Sequence, residues 1–350
     1  MPSVKGTAVI DLFCGVGGLA HGFYKEGFRV IAGIDADASC KYAFETNNKA
    51  IFLNKPIEKV TSNDINKLFA ESKTKIMIGC APCRPFSPYN RKRASSEEWK
   101  LLRDFTRLVK GSKPDVISME NVPQLKSHHV FAEFVDNLTR QGYTVSQYTV
   151  YCPDYGIPQR RRRLVLFASK FGKVELVAKT NSPRTYKTTR QVMFNLSRIR
   201  AGEIDSRDPL HRARNLSPLN LQRIRSTPEG GGWTDWEKSL RLKCHKKKSG
   251  KSFSAVYGRM SWDDISPTIT TEFINLGSGR FGHPEQDRTI SLREAALLQT
   301  FPLYYRFFEG ERDISFQKLG RHIGNAVPIR LSRVIARSIR RHLDGARNGF

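Results

Sequence analysis

The chain has 350 residues, 39 % of them hydrophobic and 26 % charged, the composition expected of a soluble globular protein with a sizeable core. No apolar run approaches the length that spans a bilayer, and "MPSVKGTAVIDLF" lacks the basic, apolar and small-residue sections of a secretory signal, so a cytoplasmic, reducing setting is expected. Lys and Arg number 59 against 33 Asp and Glu, a formal net charge of +26, which points to a polyanion partner, usually nucleic acid.

The first half alternates strand and helix signals. "TAVIDLF" reads as a buried strand, "GGLAHGFYKEGF" as a helix ending at Gly27, and "RVIAGID" as the next strand. "DASCKYAFETNN" follows as a helix with Asp37 as its N-cap. "KIMIG" is a strand, and "SEEWKLLRDFTRLVKG" an amphipathic helix with Trp99, Leu102, Phe105 and Val109 on one face. "PDVISME", "HVFAEFVDNLTRQG", "YTVSQYTV" and "RLVLFAS" continue as strand, helix, strand, strand. This alternation predicts an α/β fold with a mostly parallel sheet covered on both faces.

The alternation stops near residue 180. From Arg184 to Arg259 there are 18 Lys and Arg against 6 Asp and Glu, punctuated by "EGGGW" and "HKKKSGK". Trp233, Trp236, Phe253, Tyr257 and Trp262 argue against a disordered insertion, since such segments are poor in aromatics. The expected organisation is a first part at 1–180, a smaller domain at 181–287, and a return to the first domain at 288–350. Helix signals resume there, at "SLREAALLQTF" and "VPIRLSRVIARSIRRHL".

Two stretches carry chemistry. "VIDLFCGVGGLAHGF" sets a glycine-rich turn between the first strand and its helix, and Asp35 lies 20 residues beyond Gly15 at the end of the second strand. That suits a nucleoside cofactor, with the carboxylate on ribose hydroxyls. A dinucleotide pyrophosphate or an amino-acid carboxylate would both suit the helix N-terminus. "GCAPCRPFSP" places Cys80 and Cys83 three apart, with Cys83 between Pro82 and Arg84-Pro85. A redox pair, half a zinc site and a lone nucleophile are all open. Zinc lacks a second ligand pair, since only Cys244-His245 places two further ligands together, so no metal is expected. A redox role leaves the +26 charge without a use.

Taken in order, these pieces resemble the cytosine-C5 DNA methyltransferases. "DLFCGVGGL" is similar to their first motif and "APCRPFS" to their Pro-Cys-Gln-x-Phe-Ser nucleophile motif. "ENV" at 120–122 resembles their Glu-Asn-Val, and "YGIPQRRRR" their Gln-x-Arg-x-Arg. "RTISLREAALLQTFP" and "HIGNAVP" resemble the last two motifs. The sequence departs at Ala81 and Arg84, where the family has Pro and Gln, and at His322, where it has Gln. Pro56-Ile57 stands where a short Asp-Ile motif receives the adenine amino group. Asp64-Ile65 is a second candidate for that pair.

The resemblance implies a Rossmann-like methyltransferase domain with a smaller target-recognition domain. It also implies S-adenosylmethionine as cofactor, bound against Phe13, Gly15, Val16, Gly17, Gly18, Leu19, Asp35, Ala36, Ile57, Pro82, Asn325 and Ala326. Cys83 would add to carbon 6 of a flipped-out cytosine, raising electron density at carbon 5. Glu120, protonated or sharing a proton, would hydrogen-bond N3, Arg163 would contact the base carbonyl, and Arg161 would orient the loop. Cys80 reads as a small core residue. Arg160 and Arg162 fit a solvated edge, while Arg161 and Arg163, two apart on a strand, share a face. Contacts to double-stranded DNA are expected from Arg84, Ser87, Gln159, Arg259, Thr268, Thr270 and Arg280. The expected protein is a monomer off the membrane, with or without a cognate restriction endonuclease. A tRNA methyltransferase of the same fold and a catalytically silent DNA-binding protein are the rival readings.

Overall fold

A computed structural model describes residues 6–70, 72–82, 97–247, 250, 252–310 and 315–348. Cys83, Arg84 and Ser87 lie outside the described residues. The first half builds β1 (Thr7–Leu12), α1 (Gly18–Lys25), β2 (Arg29–Asp35), α2 (Lys41–Asn48), β3 (Ile51–Asn54), α3 (Ser62–Phe69) and β4 (Thr74–Gly79). It continues with α4 (Glu97–Ser112), β5 (Val116–Asn121), α5 (His129–Arg140), β6 (Thr144–Tyr151) and β7 (Arg162–Ser169). The seven strands form one sheet in the order β3-β2-β1-β4-β5-β7-β6. The pairs from β3 to β5 are parallel, and β7 runs antiparallel to both its neighbours.

The pleat divides the core. Strand β1, wholly buried, sends Val9 to one face and Ala8, Ile10 and Leu12 to the other, as the two-residue period requires. Leu102, Phe105 and Val109 of α4 cover the second face, as their spacing predicted. In this first half, two elements went unread in the sequence. β3 is a four-residue edge strand, and α3 is a short helix closed by reciprocal bonds between Thr61 and Asp64.

Beyond residue 180, regular structure is sparse. It comprises α6 (Thr189–Met193), β8 (Ile204–Asp205), β9 (Asp208–Arg212) and α7 (Pro218–Arg225). The tryptophans are packed: Trp233, Trp236 and Trp262 are buried, and the Trp233 ring stacks on His245 with centroids 4.3 Å apart, whereas Phe253 is exposed. Leu216, Ile224 and Leu276 form a small cluster of their own, whereas Met193, Leu210, Met260, Trp262 and Phe273 join the first-face core. Helices α8 (Leu292–Leu298), α9 (Phe316–Asn325) and α10 (Ile329–Asn348) end the chain. Helix α10 lies along α1, where Arg333, Arg337 and Arg340 all reach the buried Glu26 carboxylate.

Two buried histidines tie the fold to pH. Burial lowers His21 and His283 to about 4 each. The Nδ1 of His283 accepts the Glu285 and Gln286 backbone N–H groups, so a proton there would break both bonds. The unfolded chain takes up these protons near pH 6.5, before the folded one does. Stability is therefore complete above about 6.5 and lost as pH falls towards 4. Thermal melting from pH 7 to 4 is expected to lose a few kcal/mol in total, at about 1.4 per pKa unit per group. A flat profile over that range would contradict the neutral burial of these rings.

Candidate active site

The carboxyl ends of β1, β2, β4 and β5 open on one cavity of about 780 Å³. The sheet reverses its winding between β1 and β4, and such a switch point is where open α/β sheets hold ligands. Phe13, Gly15, Val16, Gly18, Leu19, Asp35, Ala36, Ile57, Pro82, Asn325 and Ala326, eleven of the twelve residues expected at a cofactor, line it. Gly15 has φ +50°, and a Cβ added there would meet nothing within 4 Å, so its backbone fronts open space. Its N–H donates to Asp35 Oδ2 at 2.8 Å, while Oδ1 accepts the Asp37 N–H at 2.9 Å. Asp35 thus ties the glycine turn to the end of β2 and keeps free lone pairs at the cavity. Gly17, also expected at the cofactor, is not among the lining residues; it has φ +87°, and a Cβ there would strike Asn48 and Phe44 of α2. Its role is to let α1 start against α2.

Pro56, Ile57 and Glu58 line the cavity, and Asp64 does not. Asp64 caps α3 and pairs with Lys55 at 2.8 Å, and Ile65 is fully buried. The geometry therefore favours Pro56-Ile57 at the cavity, where position 56 has no carboxylate and Glu58 brings one two residues on.

The far end of the cavity holds Glu120, Arg161 and Arg163. Glu120 is 2 % exposed. Its Oε2 accepts the Cys80 thiol at 3.0 Å. Arg163 Nε stands 3.0 Å from Oε1, but its N–H is not aligned with that oxygen, which is buried without a hydrogen bond. Cys80 is thus half-buried, packed against the first-face core and also lining the cavity wall. Arg161 is buried and donates to the Ile269 carbonyl at 3.0 Å. Burial, with Arg163 beside it, lowers its guanidinium to about 10, so it stays charged at neutral pH. Arg160 and Arg162 point outward, Arg160 to Asp264 and Arg162 over the Tyr151 ring, as strand alternation predicted. Asn121 donates to the Ala81 carbonyl at 3.2 Å, fastening the chain just before Pro82.

Residues 7–341 match the family described as C-5 cytosine-specific DNA methylases. The chain belongs to that family. It is 51 % identical to the Type II methylase M.HgiDII of Herpetosiphon aurantiacus, over 97 % of this chain and 96 % of the relative. It is 30 % identical to the Type II methyltransferase M.PspPI of a Psychrobacter species, covering 98 % and 81 %. A putative DNA modification methyltransferase encoded within an E. coli prophage has a similar structure, with TM-score 0.74 at 20 % identity over 97 % of this chain and 99 % of that one. The S. pombe Dnmt2 methyltransferase superposes with TM-score 0.61 at 18 % identity, covering 95 % and 98 %. This chain is therefore a DNA cytosine methyltransferase.

Three residues of the methyltransferase expected at the DNA are used within the protein. Gln159 is fully buried, with its amide on the Leu298 carbonyl and the Gln299 side chain. Gln299 in turn holds the Ile323 and Ala326 carbonyls, so Gln159 fastens the α8–α9 region. Arg259 is 4 % exposed and commits its guanidinium to four backbone carbonyls and Asp287. Arg280 spends Nη1 on the Gly230, Gly231 and Arg259 carbonyls. Sequence reading missed these duties because a buried arginine saturated by carbonyls looks like any other cation in a basic stretch. Thr268 and Thr270 do line the cavity, next to Arg161 and Arg163.

The sequence also gave no hint of one cluster at the cavity rim. His322 Nε2 lies 3.2 Å from Asp37 Oδ2, 3.3 Å from Ser39 Oγ and 3.6 Å from Cys40 Sγ. Burial opposes the charge on Asp37, but hydrogen bonds from Ser39 and His322 prevail and hold it at about 2. Asp37, Cys40 and His322 could hold a metal by spacing. Two features oppose it. The Arg321 guanidinium stands 3.4 Å from Asp37, and the buried Nδ1 of His322 lacks the partner that a ligating imidazole requires. The cluster is better read as a latch joining α9 to the end of β2.

Proposed function

We propose that this DNA cytosine methyltransferase transfers a methyl group from S-adenosylmethionine to carbon 5 of a cytosine flipped out of duplex DNA, through a Cys83–C6 adduct. The observation that carries the reading is the shared cavity. A glycine turn with open space before Gly15 and a carboxylate at Asp35 stands at one end. A buried carboxylate oxygen without a hydrogen bond, flanked by two guanidiniums, stands at the other. The first end suits a nucleoside with an amino-acid tail, and the second suits a ring that gains negative charge, met by the guanidiniums and by a proton that the Glu120 carboxyl shares with the base. When bound, S-adenosylmethionine supplies the electrophilic methyl group. Pro82 and the bond from Asn121 to Ala81 stiffen the approach to Cys83. Glu120 and Arg163 hold the base, and Arg161 braces the loop at Ile269.

Reaching carbon 6 means unstacking the base, at a few kcal/mol. The basic region 181–287 is proposed to supply that affinity and to read the sequence, mostly through phosphate contacts, with Thr268 and Thr270 nearest the base. Among the described residues no helix is long and apolar enough to cross a membrane, which agrees with work on cytoplasmic DNA. The Type II names of the relatives support a role in restriction-modification beside a cognate endonuclease. Expression in a methylation-free host, followed by methylome sequencing, tests the reading. 5-Methylcytosine at one short sequence is expected. Label transferred to tRNA and none to DNA would overturn it.

The cofactor end gives a second test. Asp35→Ala removes both the ribose acceptor and the tie to Gly15. Hydrogen bonds to charged groups are worth about 1.5–3 kcal/mol, so S-adenosylmethionine should bind roughly ten- to a hundredfold more weakly. Asp64→Ala should bind normally, since that carboxylate serves α3 and Lys55. Calorimetric titration decides. Loss of affinity in the Asp64 variant alone would mean that the cofactor site is misaligned.

A further inference from the structure

Strands β4 and β5 are parallel neighbours, with Gly79 opposite Met119. The next residues, Cys80 just past β4 and Glu120 still within β5, therefore lie side by side, and both line the cavity. This register brings the Cys80 thiol 3.0 Å from Glu120 Oε2. The other oxygen, Oε1, is close to Arg163 without an aligned N–H and stays buried with no hydrogen bond.

We infer that Cys80 is a positioning residue for methyl transfer: its thiol fixes Oε2 of Glu120 and so presents Oε1 to the target cytosine. The inference rests on the proposed role of Glu120 at the base. The terminal torsion of a glutamate is broad, so a carboxylate needs directed partners to hold one orientation. The ion pair with Arg163 balances charge but, with its N–H misaligned, does not set direction. A thiol is a weak donor, yet it is a directed one, and here it is placed by the rigid register of two central strands. It also uses the oxygen that the base does not need. Cys80 thereby acquires a duty separate from the nucleophile three residues on.

The test compares Cys80→Ala, Cys80→Val and Cys80→Ser in the full chain. Single-turnover transfer of labelled methyl from S-adenosylmethionine is followed on unmethylated genomic DNA. The Ala and Val variants should slow about three- to tenfold, the worth of one modest hydrogen bond. The Ser variant, which keeps a donor, should stay within about twofold. Binding of S-adenosylmethionine and the melting temperature, measured alongside, should match wild type in the Ser variant and in at least one apolar variant. In a Glu120→Gln background, Cys80→Ala should add no further loss, because coupled residues are not additive. Wild-type rates in both apolar variants, a Ser variant as slow as Ala, or losses that add would each overturn the inference. Failure of the wild-type protein to methylate cytosine would instead sink the proposed function, and the two outcomes are distinguishable.

Discussion

A Cys83→Ala variant is expected to transfer no measurable methyl group to DNA and to form no covalent complex with duplex DNA carrying 5-fluorocytosine. The fluorine cannot leave as a proton does, so the wild-type protein should be trapped after methyl transfer. Loss of a catalytic nucleophile commonly lowers turnover by several orders of magnitude, so activity below about one part in ten thousand is the expected level. The other thiols are poor substitutes. Burial pushes the Cys14 and Cys40 thiols up, and Cys152 up to about 12, and a thiol is nucleophilic only as thiolate. Cys80 is at the cavity, but its proton is committed to Glu120. Cys244 is exposed and does not line the cavity. Trapping should therefore survive Cys80→Ser and be lost in Cys83→Ser. The reverse pattern would assign the nucleophile to the wrong cysteine.

The parts of the fold that were legible in the sequence are those governed by short-range rules. Buried strands such as "TAVIDL" and amphipathic α4 announce themselves by period, and the turn at Gly15 by its composition. Asp37 was expected to cap α2 and instead caps the short 3-10 turn before it, its side chain accepting the Ser39 N–H, while α2 itself starts behind Cys40. Alternation along "QRRRR" sorted its arginines correctly, because a strand sends neighbours to opposite sides. What escaped depends on tertiary contact. The short β3 has too few residues for a period, and α3 rests on a capping box that a polar stretch conceals. Gln159, Arg259 and Arg280 are polar for internal reasons, holding carbonyls that no secondary structure satisfies. Cys80 was indistinguishable from a core residue until the β4–β5 register set it beside Glu120. His322, Asp37 and Cys40 come from segments almost 300 residues apart, so their meeting is invisible along the chain.

Glu120→Ala is expected to lower the rate of methyl transfer by about 10²–10⁴, the usual worth of a positioned acid–base group, while S-adenosylmethionine binds as before. The reason is local. Addition of a thiolate to carbon 6 places negative charge on the ring, and that charge is met when a proton carried by the Glu120 carboxyl is shared with N3. The only buried carboxyl oxygen that lines the cavity without a hydrogen bond, among the described residues, is Oε1 of Glu120. Its separation from the glycine turn explains why cofactor affinity should be spared. Arg163→Ala should behave differently. It would leave Glu120, 2 % exposed, without the guanidinium 3.0 Å away. Removing one partner of a buried pair costs up to about 3–5 kcal/mol, and less here because Arg161, at the same end of the cavity, still faces the carboxylate. The Arg163 variant should therefore lose both activity and thermal stability. Glu120→Gln, which keeps the shape and leaves a less buried guanidinium with its bond to the Arg162 carbonyl, should lose activity and melt near the wild-type temperature. Single-turnover rates and melting curves on the three variants separate these cases. A Glu120→Gln variant that methylates at the wild-type rate would remove Glu120 from the chemistry and leave it a structural counter-ion to Arg163.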